Sequence, residues 1–372
     1  GRRHLTTQLV YNLSRGGPMD TTFVDVLGGW RAQVAIAAGF AVVWAVTLET
    51  VSRFVARSWL PRRAWWRVAV RPQMQLMHRF GWPRRPTRRF PEGVSEAMAR
   101  DAFAYVMTIC AQHGLSALAM LPLWSSGWDA SSLLERRAFA LGTLSVVGFD
   151  AYDSIALTVR TFCSRFAIRR LLGDGVGPAP ASFWVLMVVL HHTTSLVVVV
   201  PMNLRYLDHA AYHRTAVALL GAAAACYGAG AVKFALDVSA NRGALLRCKG
   251  IVVFQLLVVA YARVYLWFPA VAALLAAFRA REDWVFARLG LCVAIALSAF
   301  NLVLLAESVG AAAKWLPMRY NSADPRITVM GVATQAAALR NLGDHKKTDA
   351  GCPGSPPDEE VDSPPARLRV AG

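Results

Sequence analysis

The sequence predicts an all-α polytopic membrane protein with about seven transmembrane helices. Three observations carry this. Of 372 residues, 55% are hydrophobic and 17% charged, and the mean hydropathy is +0.38, too apolar for a soluble domain of this size. The apolar residues gather into seven runs of about 20, the length that crosses a bilayer's hydrocarbon core. The runs must be helical, because hydrocarbon offers backbone groups no water to bond. Lys and Arg then alternate between loops: 9 fall in 1–29, 124–137, 204–214 and 277–283, against 27 in 52–100, 160–182, 238–249 and 313–372. The second set is expected in the cytosol, with the N-terminus lumenal or extracellular and the C-terminus cytosolic.

In order, residues 1–29 form a polar lumenal lead with an acceptor sequon for N-glycosylation, Asn12-Leu13-Ser14. The lead lacks the apolar core of a cleavable signal. The first transmembrane helix, 30–51 with its apolar run at 30–49, is expected to act as a signal anchor. Residues 52–100 are a basic cytosolic connector with 12 Arg, no Lys and two acids, Glu92 and Glu96. Its Arg-Trp clusters suit headgroups, and no nucleic-acid-binding module is visible. Six more spans follow, at 101–123, 138–159, 183–203, 215–237, 250–272 and 285–310, within a domain bounded at 101–316. Trp30, Trp124, Trp128, Trp267, Trp284 and Trp315 fall near span ends, where indole rings favour the interface. Residues 317–372 turn polar and proline-rich and read as a disordered cytosolic tail. The six cysteines include no CxxC pair and none in a non-cytosolic loop, which argues against a disulfide framework or a zinc site.

Ionisable groups inside spans are costly and mark function by default. Asp150 and Asp153 in FDAYD are three apart and share a helical face. His191 and His192 follow at mid-span in VVLHHTTSLVV. A carboxylate from the neighbouring span would hold an imidazole's tautomer and raise its basicity, as general-base chemistry needs. Lys233 and Asp237, four apart, are expected to pair with each other. Arg263 is expected to neutralise Asp150 or Glu307. His113 reads as an interior histidine, and Glu307 as a group reaching headgroups. His209 and His213 add to the histidine pair, but eight histidines are too few for a di-iron box set, so no metal is expected.

FDAYD, then Trp184 leading to LHH, Asn203 and AYARVYLWFP at 260–269 resemble the TLC-domain family over roughly residues 97–316. The resemblance implies a six-helix membrane bundle in the endoplasmic reticulum or another endomembrane, handling lipids. In the family's ceramide-synthase branch it implies an N-acyltransferase joining fatty acyl-CoA to a long-chain base. His191 or His192 would attack the thioester or take the amine proton, Asp150 and Asp153 would orient the pair, and Trp184, Asn203 and Arg263 would contact substrate. No cofactor or metal is implied beyond acyl-CoA as co-substrate. Membrane lipids are the expected partners, with a homodimer as the assembly and no nucleic acid. The sequence departs from that branch where AVKFALDVSANRG at 231–243 lacks a later Asp pair, which favours the broader family. A non-enzymatic lipid-binding or lipid-regulating protein is the alternative. A seven-span receptor is more remote. No DRY-like or NPxxY-like stretch and no lumenal cysteine pair is present, and Lys314 lies beyond the last span.

Overall fold

The computed structural model describes residues 26–63 and 66, save 53, and residues 96–320, save 174, 175, 237, 239 and 240. The lumenal lead with its sequon, most of the connector, Asp237 and the tail from 321 lie outside the described residues. Every regular element among the described residues is helical. They are α1 (Trp30–Arg62), α2 (Glu96–Ser126), α3 (Leu133–Phe162), α4 (Arg165–Leu172), α5 (Ala181–Arg205), α6 (Ala210–Phe234), α7 (Arg242–Ala280) and α8 (Trp284–Trp315). Six of these, all but α3 and the short α4, contain stretches long and apolar enough to cross a membrane. The chain is therefore an all-α, multi-pass integral membrane protein. At 1.5 Å per residue, α3 is long enough too. Its charges, which include the expected Asp pair, dilute its hydropathy.

Polar caps start the helices. Ser132 and Glu135 form a capping box on α3, with Ser132 N donating to Glu135 Oε2 at 2.6 Å and Glu135 N to Ser132 Oγ at 3.3 Å. Asn241 caps α7 and Asp283 caps α8. Most helices outrun the expected spans, because hydropathy marks only the apolar middle while the backbone stays helical into the interface. The largest difference is α1. It continues past residue 51 to Arg62 through π-helical turns at Leu48–Ser52 and Val55–Trp59, so the start of the expected connector belongs to the helix.

Contacts at the ends show that successive long helices alternate in direction. Arg137 Nε, at the start of α3, donates to Val26 O beside the start of α1 at 3.1 Å. Ala179 N donates to Arg160 O, joining the end of α3 to the approach of α5. Lys249 Nζ reaches Leu316 O at 2.7 Å, joining the start of α7 to the end of α8. We call the end where α1 begins the near end.

Six helices form a closed ring in the order α2, α3, α5, α8, α7, α6, with α6 packing back on α2. The first helix lies outside, against α3 and its neighbours. Gly148 of α3 permits that docking: a Cβ there would stand 2.6 Å from Ala37 O and from Phe40 Cβ. Trp44 Nε1 donates to Ser145 Oγ at 3.0 Å along the same seam.

At the near end the ring is sealed. Arg205 pairs with Asp283 at 2.8 Å and Arg281 with Asp208 at 2.8 Å. Tyr206 donates to Asp283 Oδ2 at 3.0 Å. Burial and the Asp283 carboxylate hold the Tyr206 phenol above its ordinary value, so it stays a donor. Phe278 packs edge to face on both Tyr206 and Phe286 beneath these groups, and Tyr206 and Phe286 meet at a tilt.

Candidate functional site

Halfway along the ring, the sequence breaks its regular helical phase twice. Val185–His192 of α5 and Tyr261–Tyr265 of α7 are π-helical, a wider turn often found at functional sites. The first carries His191 and His192, the second Arg263. In α5 the wide turn lets both histidines face inward, and Thr193 Oγ1 ties it off on Val188 O at 2.7 Å.

His192 is buried between two carboxylates of α3. Its Nε2 lies 3.7 Å from Asp150 Oδ1 and 3.5 Å from Asp153 Oδ2. Both distances exceed an ordinary hydrogen bond, so the attraction is through space. Its Nδ1 is 3.3 Å from Ser154 Oγ. Each carboxylate has a hydroxyl donor of its own: Ser195 donates to Asp150 Oδ2 and Tyr105 of α2 to Asp153 Oδ1. The three-residue spacing of the acids puts both on the face that meets α5, as expected. Both carboxylates face the same ring nitrogen, Nε2, while Nδ1 faces Ser154, so the ring is oriented from both sides.

His191 is turned from α3 toward α8. Its ring stacks on Phe300 of α8, with centroids 4.4 Å apart and planes 9° from parallel. It lies 5.2 Å from the His192 ring, and its buried Nδ1 finds no hydrogen-bond partner among the described residues. His191, Asp150, His113 and Arg263 form the polar end of a cavity of about 180 Å³ inside the ring. The rest of the wall is mostly apolar, running past Val198, Leu219, Val271 and Leu275 to Phe278 at the near-end seal.

The site gathers four of the seven expected residues in one cluster: His191, His192, Asp150 and Asp153. Arg263 joins the cavity wall, but not by the expected pairing. Nη1 donates to Asn301 Oδ1 at 3.1 Å and Nη2 to Leu219 O at 3.2 Å, so neither Asp150 nor Glu307 neutralises it. Its helix places it across the ring from α3, and Glu307 is exposed on α8. Asn203 is buried one layer nearer the seal, donating to Thr143 Oγ1 at 3.0 Å and accepting from Tyr212 at 2.8 Å. It holds two cavity-lining residues rather than lining the cavity. Trp184 stands apart, its indole N–H bonded to Thr158 Oγ1 at 3.0 Å and its edge on Phe162. His113 bonds Ile109 O through Nδ1 at 3.1 Å and packs edge-on against Phe149 and Tyr227. Lys233 donates to Gln255 at 3.2 Å, while Asp237, its expected partner, lies outside the described residues.

Tyr105, Ser195 and Phe300 were not expected here. Ser195 carries a faint signal, being one turn beyond His192 on the same face. Tyr105 and Phe300 carry none, since their contacts join helices far apart in sequence. Among the described residues, no group of three or more His, Cys, Asp or Glu is arranged to hold a metal ion. Comparison of the chain with family models, with curated proteins and with solved structures finds no match.

Proposed function

We propose that the ring is a lipid-handling unit of an endomembrane and that it transfers a long acyl group by way of His191. The observation that carries this reading is the division of labour in the histidine pair. One imidazole lies on the wall of a mostly apolar cavity with a ring nitrogen unengaged, and its neighbour sits behind it against two carboxylates. An unprotonated imidazole is a nucleophile, and an acylated one is a good leaving group. In the reaction we propose, a ring nitrogen of His191 attacks the carbonyl carbon of an acyl-CoA thioester, the C–S bond breaks and the thiolate leaves. The amine of a long-chain base then attacks the acyl-imidazole, forming the amide and releasing the ring. The amine's proton passes to His192 and its carboxylates and finally to the thiolate, so the net products are amide and thiol. The apolar wall would hold the acyl chain. The basic loops support a cytosolic far end, where acyl-CoA would be met.

The test is direct. Full-length protein in lipid nanodiscs, given palmitoyl-CoA and sphinganine, should yield amide-linked product by mass spectrometry. His191→Ala should lower the rate at least about a hundredfold with abundance and thermal unfolding unchanged. Folded wild type that makes no amide with any acyl-CoA length would defeat this reading. One observation favours a second, non-catalytic reading in which the ring binds or senses lipid: His191 Nδ1 finds no orienting partner among the described residues. Lipid binding without turnover would support that reading instead.

A further inference from the structure

Arg263 is the charge the acyl-transfer chemistry leaves unused. It is 6% exposed at the middle of a membrane helix, and it lines the cavity. A buried guanidinium is tolerated only when its charge is compensated. Here its two hydrogen bonds go to neutral oxygens, the Asn301 amide and the Leu219 carbonyl. A guanidinium has five N–H groups, so donors remain. Asn301 is 2% exposed, and its Oδ1 is committed to Arg263. That commitment fixes the amide's orientation and leaves Nδ2 a donor with no acceptor among the described residues. Among the described residues no carboxylate pairs with the guanidinium, and Asp150, the acid on the same cavity wall, is engaged by Ser195 beside His192. The cluster is rich in donors and short of an acceptor.

The cavity states what kind of acceptor would fit. From Arg263 to Phe278 along α7 it runs about 22 Å at the helical rise of 1.5 Å per residue. That is the reach of one long alkyl chain, and the wall is mostly apolar. At about 180 Å³ the cavity leaves no room for a second chain.

We infer that Arg263, held by Asn301 from behind the wall, forms an intramembrane carboxylate site whose ligand is a single-chain fatty acid anion, its head at mid-membrane and its tail directed at the near-end seal. The carboxylate would take the planar, paired contact that guanidinium favours. A fatty alcohol would leave the charge uncompensated, and a fatty amine would be repelled.

Binding of radiolabelled palmitate to the full-length protein in nanodiscs, competed by hexadecanol and by hexadecylamine, tests this on the wild type alone. Palmitate should bind at least about tenfold more tightly than hexadecanol, the factor expected of one charge-assisted contact, and hexadecylamine should compete worst. Arg263→Gln should erase the preference for palmitate over hexadecanol, while Val271→Trp in the tail path should weaken both equally. Equal binding of palmitate and hexadecanol by wild type would overturn the inference. His191→Ala separates it from acyl transfer: palmitate binding should persist where turnover is lost.

Discussion

His209 sits between α5 and α6, outside the membrane-spanning segments, and caps α6 by accepting from Ala211 N at 3.3 Å through Nδ1. Burial holds its imidazole below the ordinary value of 6.5; Asp208 pulls the other way and Arg281 adds to the lowering. A base that is harder to protonate when folded gives stability that is whole above the unfolded value and falls as pH drops through it. Thermal unfolding of the purified protein should therefore come earlier near pH 5.5 than near pH 7.5, through a range set by the ordinary histidine value of about 6.5. His209→Asn keeps a good capping acceptor and cannot titrate, so it should flatten that slope; an unchanged slope would clear His209 of the role. At this scale the sequence was informative where charge stands out against apolar surroundings. Asp150, Asp153, His191 and His192 were legible because each is expensive in a membrane. Arg263 was legible as a residue and misread as a pair, because spacing along the chain cannot say which helix faces it. Tyr105 and Ser195, ordinary residues made important by what they touch, left almost no trace.

Among the elements, α1 depends most on a single position. Its face meets α3 where Gly148 lets the backbones approach, and any side chain there collides with Ala37 and Phe40. Gly148→Leu should destabilise the protein by roughly 1–3 kcal/mol, the usual cost of overpacking, read as earlier thermal unfolding and as freer protease access to α1. Unaltered unfolding would show that α1 is not seated through this seam. Helix α4 is amphipathic, with Phe166 and Leu171 exposed beside Arg165, Arg169 and Arg170, the composition of a helix lying in the headgroup plane. The seven long helices and their order were readable from hydropathy, the short α4 was not, and the boundaries were readable only to within several residues, since interfacial turns are polar and still helical. The π-helical turns at the histidine pair and at Arg263 were invisible. A turn with one extra residue has the same kind of composition as its neighbours and differs only in phase.

At the scale of the molecule, the ring does not follow chain order. Helices α5 and α6 are consecutive, yet α8 and α7 stand between them in the ring. Hydropathy counts spans and charge orients them, but neither names neighbours, so the closed ring was not legible in the sequence. Chain that stops after Asp283 should lack the wall against α5, and limited proteolysis in nanodiscs should cut it where the full protein resists. Supplying Trp284–Gly372 as a second polypeptide should restore protection; a truncated chain as resistant as the whole would show that the other helices close without it. The placement of α8 also bears on how the protein is made. It is the last of these helices to leave the ribosome, and it brings Phe300 to His191 and Asn301 to Arg263. Until it arrives, the most polar part of the bundle has an unguarded side within the bilayer. A nascent chain would then expose within the bilayer the very groups that a finished molecule conceals.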